Sequence, residues 1–148
     1  LWSGGWVEYH GTHYDVPLCQ MNPAPSEPVP ILIGGHSEAA FRRAVDLADG
    51  WIAAGAYSVE EAWAHLATLR EHLRREGREH EPFTVYLSVA AAPDVDLYKR
   101  FEAAGVTDLI CAPWMGIPVP ADATPEARLA LRLGAVEKFA ERVVAKFA

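Results

Sequence analysis

A chain of 148 residues that is 51% hydrophobic and 22% charged has the makeup of an ordinary globular domain. It is long enough to hide roughly 70% of its surface and build a core. The net charge of -7, from 13 basic and 20 acidic residues, argues against nucleic acid as a partner, because phosphate neutralisation needs clustered Lys and Arg. Any anion must therefore be held locally, by backbone dipoles or one or two arginines. No apolar run approaches the ~20 residues of a membrane span, so no membrane partner is expected. No basic, apolar-cored leader opens the chain. Cys19 and Cys111 have neither metal-ligand spacing nor a disulfide framework, which fits a reducing, cytoplasmic setting without a metal. The opening "LWSGGW" carries no initiator methionine and no helix-start signal. The chain is expected to be the C-terminal part of a longer protein.

In chain order, "WVEYHGTHYDV" (Trp6–Val16) reads as two strand-like runs around a turn at Gly11. The proline-rich "NPAPSEPVP" that follows cannot be helical and should run extended. Ile31, Leu32 and Ile33 are consecutive aliphatics without alternation, the pattern of a strand covered on both faces of a parallel sheet. After Gly34 and Gly35 the period becomes helical. Ala40, Ala44 and Leu47, with Phe41, Val45 and Ala48, form the expected buried face, and Glu38, Arg42, Arg43 and Asp46 the wet one.

Asp49-Gly50 ends this helix, and Trp51–Ala54 is the next strand. "SVEE" at Ser58–Glu61 is a capping box. Behind it Val59, Trp63, Leu66, Leu69 and Leu73 make an apolar stripe, with Arg74 and Arg75 at the negative helix end and Gly77 as its stop. Phe83, Val85, Leu87 and Val89 start a third strand. A short helix around Leu97–Ala104 stops at Gly105, and Leu109–Ala112 is a fourth strand. Thr124 and Pro125 open a helical tail to Ala148 whose buried face is expected to be Val136, Phe139, Val143 and Phe147.

A hairpin followed by strand–helix four times over makes an α/β chain with parallel strands and right-handed crossovers. Two architectures satisfy this pattern: an open doubly wound sheet, or half of an eight-stranded barrel, which takes about 250 residues when whole. The missing start favours the half barrel. Its two raw strand edges would be a pairing hazard, and homo-oligomerisation stays open.

The pair Gly34-Gly35 falls where both architectures bind ligands, at the carboxyl end of a strand. Glycines let a ligand approach the backbone, and the first helical turn beyond offers unpaired N–H groups and the positive dipole end. A phosphate placed there needs no lysine. Ser37 can add a hydroxyl, and His36 stands beside the glycines as a hydrogen-bond donor or pocket acid. A plainer reading stays open: a tight turn with Ser37 as N-cap. Two glycines without a Walker lysine make a weak motif.

"HGTHYDV", the proline stretch, "PVPILIGGHSEAAFRRAVDLADGWI" and "LREHLRREGR" occur in one order. That set closely resembles the C-terminal half of luciferase-like monooxygenases, especially their coenzyme F420-dependent oxidoreductase branch. The likeness is strongest from Trp2 to Arg78. It implies that the whole chain is one partial domain: residues 1–29 a hairpin insertion with its proline-rich segment, residues 30–148 strands five to eight of a TIM-type barrel with their helices. It also implies that Gly34, Gly35, His36 and Ser37 contact the phosphate of coenzyme F420 or FMN. The reaction implied is hydride transfer, or oxygen activation on reduced FMN, with a small-molecule substrate. Either chemistry is largely the cofactor's own, the protein supplying position, electronics and exclusion of water. Catalytic residues are not assignable, and no nucleophile order or GxSxG elbow is present.

Other residues read more simply. His10 and His13 belong to a polar hairpin turn without a third ligand. His65 and His72, on a charged helix, are expected to be solvated. Arg42 and Arg43 read as a wet face. Trp114, after the fourth strand, stands at the expected mouth, where it can wall a flat ring or merely cover the core. Cys111 reads as a small buried filler, and Trp51 and Trp63 as core. Two rivals to the oxidoreductase remain: a non-catalytic cofactor-binding or structural half-barrel, and an unrelated phosphate-binding barrel enzyme.

Overall fold

A computed structural model of the chain describes residues 1–147. The chain divides into two compact units, Leu1–Ile31 and Leu32–Ala148.

In the first unit, β1 (Val7–His10) pairs antiparallel with β2 (Asp15–Cys19), with an irregular register between Val7 and Tyr9. The turn is closed by the Gly11 amide donating to the Tyr14 carbonyl at 2.9 Å. His10 Nδ1 meets the Asp15 carboxylate across the turn, so the first histidine of "HGTH" serves a polar turn. Gln20 Nε2 donates to the Gly4 carbonyl at 2.7 Å and ties the far side of the hairpin to its approach. The proline-rich stretch forms no helix or strand, as its residue types dictate.

The second unit is a four-stranded parallel sheet in the order β3 (Leu32–Gly34), β4 (Gly50–Ile52), β5 (Thr84–Leu87), β6 (Asp108–Leu109). Strand order equals chain order, so each connection is a crossover through a helix. These are α1 (Glu38–Leu47), α2 (Val59–Arg75) and α3 (Val95–Ala103), and α4 (Pro125–Arg142) follows β6. Sequential parallel strands with helices make half of a TIM-barrel-like fold, preceded by an antiparallel hairpin. The doubly wound alternative would require the order to reverse, and it does not.

The core lies between the sheet and α1 to α3. Phe41, Val45, Trp51, Leu69, Leu87 and Phe101 are essentially sealed from solvent. Trp51 and Phe41 pack with ring centroids 5.5 Å apart, and Trp63 packs on Phe101 at 4.7 Å. Gly50 starts β4 where no side chain fits: a Cβ there would lie 2.4 Å from the Thr84 carbonyl and 2.5 Å from Leu32. Two arginines stop helices that are not their own. Arg78 donates to the Val45 and Ala48 carbonyls at the end of α1, and Arg70 to the Ala104 carbonyl after α3. These are the carbonyls a helix end leaves without intrahelical donors. α2 closes on itself, with Arg78 N–H to Leu73 O at 2.8 Å and Gly77 N–H to Arg74 O at 3.2 Å, a Schellman pattern.

Several expectations need correction. Leu47 is 70% exposed, because α1 presents Ala40, Phe41, Ala44 and Val45 to the sheet and turns Leu47 out. The first strand is not covered on both faces: Ile31 is exposed and Leu32 and Ile33 are half-buried, since β3 is an edge of this sheet. The second strand stops at Ile52, the third at Leu87, and the fourth is the two residues of β6. Val89 keeps only an isolated bridge to Tyr57. α4 has no buried residue; Val136 and Phe147 are exposed and Phe139 is half-buried. Val143, just past its end, is the buried one. The helix ends at Arg142, a short 3-10 turn spans Val144–Lys146, and Ala148 lies outside the described residues.

Candidate functional site

The carboxyl ends of the parallel strands are where such folds gather ligand-binding loops. Gly34 is the last residue of β3. A Cβ at Gly34 would meet only ordinary contacts, 3.5 Å from Ile52 Cγ2, so packing within the chain does not demand glycine here. Gly35 differs. Its φ is +118, and a Cβ would lie 2.9 Å from that of Ala40, so the turn into α1 excludes a side chain. The Gly35 carbonyl accepts from Trp51 Nε1 at 2.6 Å, which anchors the turn to the centre of the core.

Ser37 caps α1: its hydroxyl oxygen accepts from Ala40 N–H at 3.2 Å and still has its own proton to donate. Glu38 and Ala39 occupy the first turn, where backbone N–H groups have no intrahelical acceptor. His36 is exposed beside them. The four residues singled out from sequence thus form one continuous turn. Ser37 takes the cap role of the plainer reading.

Sequence reasoning missed the neighbours of His36. Its Nδ1 lies 3.4 Å from the Tyr57 hydroxyl. Tyr57 is fixed by the β4–α2 loop, whose backbone continues the sheet: Tyr57 N–H donates to Ser88 O at 3.1 Å and Ala90 N–H to Tyr57 O at 2.7 Å. The Tyr57 hydroxyl also accepts from Ala54 N–H at 3.3 Å. His65, expected in solvent, is half-buried against this group, 4.5 Å from the Tyr57 ring and 5.8 Å from those of His36 and Phe41. Burial lowers its pKa, and the nearby His36 lowers it further, against a weaker opposing pull from Glu61.

Glu61 is committed elsewhere. It closes the capping box, accepting from Ser58 N–H at 2.8 Å, and those hydrogen bonds with Ser58 hold its carboxyl below the usual range. His72 is also buried rather than solvated, its Nε2 3.0 Å from Glu38 Oε1. The signal for both corrections was in the chain: His65 and His72 flank Leu66 and Leu69 on the face that α2 turns to α1. No group of three or more possible ligands that could hold a metal occurs among the described residues.

A separate cleft of about 730 Å³ opens past the ends of β5 and β6. Ser88, Ala90, Ile110, Cys111 and Met115 are among its walls, and none of its lining residues is charged. Trp114 is exposed and is not part of that lining. Cys111 is half-buried, with its sulfur 3.8 Å from the Tyr98 hydroxyl. Burial, reinforced by Cys111, pushes the Tyr98 phenol well above its ordinary pKa. No helix among the described residues is long and apolar enough to cross a membrane.

Several known proteins resemble this chain. An uncharacterised protein of Mycobacterium tuberculosis is 40% identical over 147 residues, 99% of this chain and 49% of that protein. An F420-dependent glucose-6-phosphate dehydrogenase of Nakamurella multipartita is 30% identical over 103 residues, 69% of this chain and 30% of the enzyme. The chain thus spans about half the length, or less, of the curated relatives it matches. Among solved structures, the coenzyme F420-dependent tetrahydromethanopterin reductase of Methanopyrus kandleri superposes with a TM-score of 0.61 at 14% identity, over 99% of this chain and 60% of that one, a likeness of fold. The family described as luciferase-like monooxygenase matches residues 1–138. With that match along nearly its whole length, the chain belongs to the luciferase-like monooxygenase family.

Proposed function

We propose that this chain forms the phosphate-holding side of an oxidoreductase that works with coenzyme F420 or FMN on a small-molecule substrate, in the reducing setting that suits its two free cysteines. The observation that carries the reading is the turn at Gly34–Ser37. It is forced open by the backbone of Gly35, braced by Trp51, and followed at once by the start of α1. Its donors fit a phosphate: first-turn amides, the Ser37 O–H and the His36 ring. The F420-dependent relatives support this cofactor class.

When bound, either cofactor supplies the hydride or oxygen chemistry itself. The work of this chain is placement. The first-turn amides take the anionic end, Gly34 leaves the backbone approachable, and the bracing of Gly35 by Trp51 keeps that geometry rigid. The uncharged cleft past β5 and β6 can exclude water from an apolar ring or substrate. Because these residues are one side of a site, the 148-residue chain by itself is expected to show little turnover.

Gly34→Ala is the selective test, since the fold accommodates the added methyl while the ligand's approach is obstructed. Titration of FMN and of coenzyme F420 by fluorescence is expected to show binding weakened by about tenfold or more in the variant, at an unchanged unfolding midpoint. Equal affinity of variant and parent for both cofactors would remove the turn from the site.

A further inference from the structure

The rings of His36, Tyr57 and His65 meet directly beside the turn read as an anion site, with Tyr57 held in place by the backbone on either side. We propose that these three residues form a proton-coupled clamp, in which binding of an oxyanion at the β3–α1 turn is tied to protonation of the His36–His65 pair. This rests on the reading of the turn as an anion site. It adds that the grip is switchable by pH and that Tyr57 and His65 take part in it.

The geometry sets out how. The two imidazole centroids lie 5.8 Å apart with rings tilted by 34°. Two positive charges that close repel, so the second proton is unfavourable until a negative group arrives. A tetrahedral dianion at the turn removes that repulsion and replaces it with attraction.

Tyr57 couples the rings to the backbone. Its oxygen already accepts from Ala54 N–H, so beside a neutral His36 its single proton is available to Nδ1. Once Nδ1 is protonated, that contact reverses: Nδ1–H donates, the oxygen accepts twice, and the phenolic O–H is released toward the anion. One proton taken up thus adds a positive charge on His36 and one freed donor, the phenol, to the Nε2–H that the neutral ring already offers.

The groups facing His65 are few. His36 comes from the β3–α1 turn, Tyr57 from the β4–α2 loop, Phe41 from α1 and Glu61 from its own helix. Glu61 is the one carboxylate among them, and it is occupied by the Ser58 cap. Glu61 attracts both imidazoles, but weakly beside its bonds to Ser58, which leaves room for a ligand as the stronger counter-ion. Partial burial lowers the pKa of His65 and so disfavours its charged form in the absence of one.

Sulfate is the probe, because it stays dianionic across the range in which imidazoles titrate. NMR on the whole chain reads both the backbone amides of residues 35–39 and the C2–H titrations of each histidine. The expected result is that sulfate shifts those amides, raises the titration midpoints of His36 and His65, and leaves exposed His13 and His80 unmoved. Sulfate affinity is expected to fall about tenfold or more between pH 5.5 and pH 7.5. His65→Phe, which retains a ring against Tyr57 and Phe41, should flatten that dependence. Tyr57→Phe should weaken binding at pH 5.5 far more than at pH 7.5. If sulfate moves the amides but neither midpoint, and affinity is flat with pH, the clamp is refuted while the anion turn stands. If sulfate moves neither amides nor midpoints, the turn is not an anion site and both readings fall.

Discussion

Helices α1 and α4 begin in the same way, with a hydroxyl side chain accepting from the backbone at the third helical position: Ser37 from Ala40 and Thr124 from Ala127. They end differently. α1 has ten residues and buries four of them, while α4 has eighteen and buries none. The strands behind them differ too. β3 runs into a turn braced by Trp51, whereas β6 is two residues long and forms one edge of the sheet. Leu129, Leu131, Leu133 and Val136 of α4 are exposed apolar side chains. Capping starts a helix, but packing decides what it contributes, because most helical stability in proteins comes from the buried face. α1 is packed into the core of this unit, and α4 is not.

The largest expected effect sharpens this contrast. Phe41→Ala or Trp51→Ala removes a sealed ring and should cost about 3–5 kcal/mol, read as a lowered urea midpoint. Leu131→Ala on α4 should change stability by no more than about 0.5 kcal/mol, the range of an exposed site. Equal losses at both positions would break the comparison. Next in size, Gly35→Ala should destabilise by about 1–3 kcal/mol, since its φ of +118 is strained for any side chain and the new methyl meets Ala40. Smaller still, Ser58→Ala removes the cap of α2 and should cost about 1 kcal/mol.

The smallest effect is a pH dependence. Burial lowers the pKa of His65, so the unfolded chain takes up this proton more readily than the folded one. The associated stability is fully present above the unfolded pKa of about 6.5 and is lost as the pH falls from there to the depressed folded pKa. Denaturant midpoints at pH 7.5 and pH 5.5 should differ in that direction, and His65→Phe should narrow the difference.

Much of the α1 side was legible because its rules are local. The capping box at Ser58–Glu61, the change of period after Gly35 and the burial of Phe41, Val45 and Trp51 each follow from a few neighbouring residues, and all are present. Leu47 failed because two registers of one helix both look apolar, and only the sheet's position chooses between them. The face assigned to α4 failed for a different reason. Periodicity tells which side of a helix is apolar, but not whether anything lies against it. His65 and His72 were placed in solvent because histidine is polar and α2 is charged. The α1–α2 contact that encloses them joins residues more than twenty positions apart. The turn at Gly34–Ser37 could be picked out from glycine chemistry and family likeness together, while Tyr57 reaches it only through the third dimension.

The turn between β3 and α1 is proposed to hold the anionic group of a redox cofactor. A crystal structure of the protein soaked with coenzyme F420 or FMN tests it most directly. Phosphate oxygens are expected within hydrogen-bonding distance of the backbone amides of residues 35–39 and of the Ser37 hydroxyl. A cofactor bound with its phosphate anywhere else on the chain would contradict it.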